Sequence, residues 1–231
     1  MATIVPHTVE EAYEVADAAL SGDDGKLLDE LGDLLFQVYF LALLLDERGA
    51  GDLEAAARLI HEKLVRRHPH VFGEVEAGTA ERVRSNWESI KRAQEGREGI
   101  FHDVPESLPG LLHARKVQRR AAAVGFEYPD VDGAFADLED ELRELKAELR
   151  DEDPRPETPP DPRQADELGD VLFAAVNVAR RLNADPELEL RRATKRFVAR
   201  VERADELAGG TFSTLPLDEQ DRLYDLAKES E

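Results

Sequence analysis

Two short acidic motifs recur in the same order along this chain. Glu11 and Glu14 stand in EEAYE (Glu10 to Glu14), followed by Glu30 and Asp33 in DELGDLLFQV (Asp29 to Val38). Further on, Glu141 and Glu144 stand in DELRE (Asp140 to Glu144), followed by Glu167 and Asp170 in DELGDVLFAA (Asp166 to Ala175). Residues three apart share one face of a helix, so each pair projects in one direction, and a helical hairpin would bring two pairs together. Four carboxylates converging inside a bundle cannot all stay ionised without cations, because desolvation and mutual repulsion both oppose it. The chemistry this implies is the binding of a hard divalent cation. Magnesium is the natural candidate, with manganese a candidate substitute, because it takes oxygen ligands, keeps some of its waters and bridges to phosphates.

Acids fill 51 of the 231 positions, so a single EExxE or ExxD triplet carries little weight, and a solvated face is the ordinary explanation. The context and the repetition argue otherwise. Asp33 sits among Leu31, Leu34, Leu35 and Phe36, and Asp170 among Leu168, Val171, Leu172 and Phe173. A merely solvated acid is a poor choice in such surroundings. A basic pair follows each acid pair: Lys63 and Arg67, four apart, recur as Arg196 and Arg200. These could reach phosphate oxygens, and surface ion pairs on an acidic protein explain the spacing equally well. The basic run ARKVQRR (Ala114 to Arg120) is better read as a solvated face. His68 and His70 in HPH lack a third ligand at zinc spacing and are expected to pack or cap. Trp87 is expected to anchor a core.

The elements that must hold these residues are helices. Nearly every long segment has helical spacing of apolar residues and helix-forming composition, with no alternating pattern bracketed by hairpin turns. The expected fold is all-α, with helices near 8–20, 25–48, 52–67, 79–95, 107–123, 131–151, 164–183, 186–208 and 216–229. Gly22 and Gly25 flank the first break and Gly49 and Gly51 the second, Pro69 follows the third helix, and Asp185 before Pro186 is a good N-cap. The five-proline segment Asp151 to Arg163 is expected to be a non-helical loop. From Leu34 to Leu45 the sequence is apolar on every side, broken only by Gln37, so this helix needs partners all round it. The two acid sets are offset by 130 positions at Glu11 and Glu141 and by 137 at Glu30 and Glu167, and KLVRRH (Lys63 to His68) answers RFVARV (Arg196 to Val201). The chain therefore looks like a duplicated module, with an N-terminal copy over 1–72, a helical connector over 73–110 and a C-terminal copy over 111–231. Four-helix-bundle-type cores and a homodimer are the expected packing.

Composition closes several function classes. The absence of cysteine excludes disulfides, thiolate metal sites and a cysteine nucleophile. A formal charge of -21 would repel a bare polyanion, so nucleic acid is not an expected partner, although metals could carry a small anion. No apolar run approaches a membrane span of about 20 residues and no signal peptide is legible at the start. The expectation is a cytoplasmic protein without a membrane partner.

With these residues in view, the chain resembles the MazG nucleoside triphosphate pyrophosphohydrolases. EExxE followed by ExxD is that family's signature. The likeness extends to RRHPHVF (Arg66 to Phe72), DVPESLPGLLHARKVQRRAAAVGF (Asp103 to Phe126) and ELGDVLFAAVNVARRL (Glu167 to Leu182). The resemblance implies an all-α, magnesium-dependent enzyme that hydrolyses NTPs or dNTPs to the monophosphate and diphosphate and so cleans nucleotide pools. It implies Glu141, Glu144, Glu167 and Asp170 as catalytic metal ligands, with Glu11, Glu14, Glu30 and Asp33 as counterparts. It implies phosphate contacts from Arg196 and Arg200, with Lys63 and Arg67 as counterparts, and a nucleotide contact from Tyr224. Only Met1 to Val9 precede the first acid motif, where family members carry a further helix. The expectation is that either the sequence starts late or the first site is weakened, with the second module the more complete site. Thr194 and Arg196 stand where the family often has Asn and Lys.

Rival readings keep their place at this stage. A narrower enzyme of the same superfamily, acting on dUTP, dCTP or phosphoribosyl-ATP, would share the acids. A non-catalytic helical scaffold with a decayed metal site would also share them. A di-iron bundle would need Glu-x-x-His motifs, and no histidine here has Glu three positions before it.

Overall fold

The computed structural model describes residues 3–72, 99–102, 104–149 and 159–230, which hold nine α-helices and no strand. The expected helix at 79–95, Trp87 and most of the proline loop lie outside the described residues. The chain divides into two compact units, Met1–Arg97 and Glu98–Glu231.

In the first unit α1 (Val5–Ser21), α2 (Asp24–Asp46), α3 (Leu53–Arg67) and a single turn, α4 (Pro69–Phe72), follow one another. Helix α1 begins three residues before the expected start because Pro6 fits its first turn. It ends at Gly22, whose φ of 73° is the left-handed stop that glycine adopts without strain. Asp23 accepts from the Lys26 amide at 3.0 Å and Asp52 from the Ala55 amide at 2.7 Å, capping α2 and α3. The α1–α2 hairpin buries Ala18, Gln37 and Ala42. The one polar residue of the apolar stretch is thus buried, whereas Leu35, Phe36 and Tyr39 are each more than half exposed.

The second unit contains α5 (Gly110–Ala122), α6 (Val131–Glu148), α7 (Pro162–Arg181), α8 (Pro186–Leu207), a 3₁₀ turn at Phe212–Thr214, and α9 (Leu217–Glu229). Helices α6 and α7 form the hairpin that carries the second acid set, α5 packs on α7 and α8, and α8 pairs with α9. Helix α7 starts inside the segment expected to be loop. Asp161 accepts from the Arg163 amide while its own amide donates to Gln164 Oε1, so Pro162 and Arg163 are already helical. Asp185 accepts from the amides of Glu187 and Leu188, as an N-cap should.

The core of this unit is built from small residues. Ala134, Ala174, Val176 and Val178 are buried along the hairpin. Ala204, Leu223 and Ala227 form a cluster with Phe212 and Leu215 against it. Short side chains let helices approach closely, and polar ties then set their register. Gln118 Nε2 donates to the Phe173 carbonyl at 2.8 Å, and Arg115 Nη1 meets Asp185 Oδ2 at 2.5 Å. The solvated face expected for Ala114 to Arg120 is therefore only partly present, because Gln118 is buried and Arg115 is three-quarters covered. Glu127, in the loop before α6, takes a bidentate pair from Arg180 at 2.6 and 2.7 Å. That pair fixes the start of α6 to the end of α7. No helix among the described residues is long and apolar enough to cross a membrane.

Candidate metal centre

Each hairpin presents its acids on facing helices. Glu11 and Glu14 come from α1 and Glu30 from α2, and one carboxylate oxygen of each lies within 4.8 Å of the others. In the second unit Glu141 and Glu144 come from α6 and Glu167 from α7, with the same convergence within 4.8 Å. The local cause is helix geometry: a step of three residues keeps both members of a pair on the face turned toward the neighbouring helix. The first member of each pair is half-buried against the hairpin and the second, Glu14 or Glu144, is exposed, so each cluster opens to solvent on one side.

Asp33 and Asp170 stand one turn farther along, exposed and outside the tight triplets, yet their charge reaches them. Partial loss of solvent pushes the Glu11 carboxyl above its ordinary value, and Asp33 is the strongest negative neighbour adding to the push. Glu30 is raised by the same loss of solvent and then by Glu14. Glu141 is raised by loss of solvent, then by Asp170 and Glu144, and Glu167 by loss of solvent, then by Glu144 and Asp170. All eight acids singled out in the sequence thus belong to two electrostatically coupled sets. The apolar setting inferred for Asp33 and Asp170 takes a different form, because Leu31, Leu35 and Phe36 beside Asp33, and Leu168, Leu172 and Phe173 beside Asp170, are themselves exposed.

Three hard oxygen donors at this spacing suit a divalent cation of the magnesium class, and cations would remove the repulsion that raises the carboxyls. A shallow open groove along α2 is lined by Gly25, Lys26, Leu28, Asp29, Gly32 and Asp33, and of the first acid set only Asp33 lines it.

The basic residues are placed differently. Lys63 and Arg67 lie on α3, and Arg196 and Arg200 on α8. Lys63 and Arg196 are exposed, and Arg67 and Arg200 are half-buried. Tyr224, on α9, tilts against Phe197 of α8 with ring centroids 5.8 Å apart, which seats it one residue from Arg196. The Thr194 hydroxyl donates to the Leu190 carbonyl of its own helix. His68 caps α3, its Nδ1 donating to the Leu64 carbonyl at 2.9 Å.

One neighbour of the second cluster was not singled out from the sequence. Asp137 contributes to the raised Glu141 carboxyl and accepts from the Tyr128 hydroxyl at 2.8 Å. The signal was present in its spacing, since positions 137, 141 and 144 follow the i, i+4, i+7 stripe of one helix face.

Two helical hairpins, each closing a triplet of carboxylates, define an all-α protein with paired acidic centres suited to divalent cations. A family profile for the MazG nucleotide pyrophosphohydrolase domain matches residues 1–72. The nucleoside triphosphate pyrophosphohydrolase/pyrophosphatase MazG of Thermotoga maritima is 37% identical over 232 residues, spanning 98% of this chain and 85% of that protein. The nucleoside triphosphate pyrophosphohydrolase of Escherichia coli K12 is 37% identical over 240 residues, spanning 100% of this chain and 88% of that protein. Bacillus subtilis YabN is 35% identical across 97% of this chain and 46% of its own length. The chain belongs to the MazG family.

Proposed function

We propose that this chain hydrolyses nucleoside triphosphates and their deoxy counterparts to the monophosphate and diphosphate, as a house-cleaning enzyme of the nucleotide pool. The observation that carries this reading is the convergence of carboxylates from two helices, made twice, in a chain similar along nearly its whole length to nucleoside triphosphate pyrophosphohydrolases. In the second unit Glu141, Glu144, Glu167 and Asp170 would hold magnesium, and in the first Glu11, Glu14, Glu30 and Asp33 would do so. Magnesium held there would neutralise negative charge on the phosphate oxygens and so leave the phosphorus more open to attack by water.

The chain's own residues do the rest by position. The α6–α7 and α1–α2 hairpins hold the carboxylates at fixed separation before substrate arrives, so little reorganisation is needed at the reacting phosphate. Arg196 and Arg200, with Lys63 and Arg67 in the first unit, offer cationic contacts to phosphate oxygens that the acids would repel. Tyr224, steadied by Phe197, offers an aromatic face to the nucleotide. The exposed apolar side of α2 supports a homodimer, and a cytoplasmic enzyme is the reading consistent with described helices that are not long and apolar enough to cross a membrane.

Pyrophosphate release from a mixed NTP and dNTP pool, with and without magnesium, tests the reading directly. Stoichiometric monophosphate and pyrophosphate that disappear with chelator are expected. Release of orthophosphate instead, or no turnover by the folded full chain, would refute it. Turnover confined to one nucleotide among the eight common ones would replace the broad enzyme with a narrow one.

A further inference from the structure

We propose that Asp137 and Tyr128 form a sugar-reading edge of the second site, in which the Asp137 carboxylate accepts a hydrogen bond from the ribose 2′-hydroxyl and Tyr128 positions that carboxylate. The proposal rests on the nucleotide-hydrolysis reading above and adds to it a residue pair that sets substrate preference.

Position is the first ground. Asp137 lies one turn before Glu141 on the face of α6 that carries Glu141 and Glu144, about 6 Å along the axis. A nucleotide whose phosphates lie at the acid cluster can send its sugar toward either end of this stripe. At the Glu148 end, Gln164 of the first turn of α7 reaches across and donates to the Glu148 carbonyl at 3.1 Å. At the other end stand Asp137, half-buried, and Tyr128, which keeps 39% of its surface exposed.

Preorganisation is the second ground. The Tyr128 hydroxyl donates to Asp137 Oδ1 at 2.8 Å, which leaves Oδ2 as an acceptor for a ligand. Tyr128 is itself held on three sides. Its neighbour Glu127 is clamped by Arg180, Asp130 caps α6 by accepting from the Gly133 amide at 3.0 Å, and the ring rests on Gly133. A Cβ at Gly133 would stand 3.0 Å from Tyr128 Cβ, so the glycine makes the seat for the ring. The Tyr128 hydroxyl is held above its ordinary value chiefly by the hydrogen bond to Asp137, then by partial loss of solvent and the Asp137 charge, with Glu141 and Asp140 adding smaller amounts. A tyrosine fixed this firmly beside a charged site, with its ring still open, presents a surface rather than filling a core.

In the first unit no carboxylate stands at the position equivalent to Asp137. His7 stands four positions before Glu11, where Asp137 stands four before Glu141, and its Nδ1 lies 3.7 Å from Glu10 Oε2. Sugar reading by a carboxylate therefore belongs to the second site.

The test uses the full chain and compares ATP with dATP, both in turnover and in equilibrium binding of their α,β-methylene analogues with magnesium. Loss of a hydrogen bond to a charged acceptor predicts a KM about tenfold lower for ATP than for dATP in the wild type. Asp137→Ala should bring the two KM values within about twofold, and Asp137→Asn should restore part of the preference. Tyr128→Phe should weaken the preference without abolishing it. An unchanged ATP/dATP ratio in Asp137→Ala, or an equal fall in kcat on both substrates, would overturn the proposal and leave the hydrolysis reading intact. Analogue binding with a ribose preference that Asp137→Ala removes, in a chain without turnover, would overturn the hydrolysis reading and support the sugar edge. Neither turnover nor binding would overturn both.

Discussion

Glu141 and Glu167 face each other from α6 and α7, and each is raised by its withdrawal from solvent and by the acids around it. Replacing either by Gln keeps the shape and removes one anionic ligand. Magnesium-dependent pyrophosphate release by the second site should fall by roughly 100-fold or more, the scale of losing one preorganised charge partner, as read from initial rates. The raised carboxyls also have a sign in stability. A carboxyl whose folded value exceeds its unfolded one binds protons more tightly in the fold, so the metal-free protein is favoured below the ordinary value of 4.5 and loses that advantage as pH rises through the raised value. Divalent cations bound at the cluster, as proposed, would act against this loss by neutralising it. The rise in Tm on adding magnesium should therefore be larger at neutral pH than near pH 4.5. Thermal unfolding at the two pH values measures it, and equal rises would mean that the ion binds elsewhere.

At the scale of elements, the second unit depends on ties that join helix ends. Arg180 and Glu127 are only 12% and 22% exposed in their side chains, so removing Arg180 leaves a largely buried carboxylate with only the longer 3.6 Å ion pair from Arg181. Arg180→Ala should cost about 3 kcal/mol of the second unit's stability, read from urea unfolding. The hydrogen bonds from Arg180 hold the Glu127 carboxyl below its ordinary value, so the pair's contribution is present above the unfolded value of 4.5 and is lost as pH falls through the lowered one. Asp185 caps α8 and also receives Arg115 from α5. Asp185→Ala should accordingly cost more than the roughly 1 kcal/mol of an ordinary cap, whereas Asp52→Ala, a cap without such a tie, should stay near that value. The longer of the described helices could be read from the chain, and so could one N-cap, Asp185 before Pro186. The start of α7 could not, because prolines argue for loop until the Asp161–Gln164 box is seen to satisfy the first turn.

At the scale of the molecule, the apolar surface of α2 remains to be covered. Leu35, Phe36 and Tyr39 are 54%, 61% and 54% exposed, and a contiguous face of this kind marks an interaction surface. Phe36→Glu would change the stability of an isolated hairpin little, as exposed substitutions do. In a homodimer seated on this face it should convert the protein from twice the single-chain mass to one, as sedimentation velocity would record. The sequence by itself determined the all-α class, the two acid sets and their assignment to hairpins, because helical period and carboxylate spacing are local properties. Tertiary structure alone decided that Gln37 is buried while Leu35, Phe36 and Tyr39 are exposed, that Glu14 and Glu144 lie open while their partners are half-buried, and that Tyr128 closes on Asp137. Those outcomes depend on which face of each helix meets its neighbour, a rotation set by the small residues Ala18, Ala42, Ala134 and Ala174 that let the helices approach.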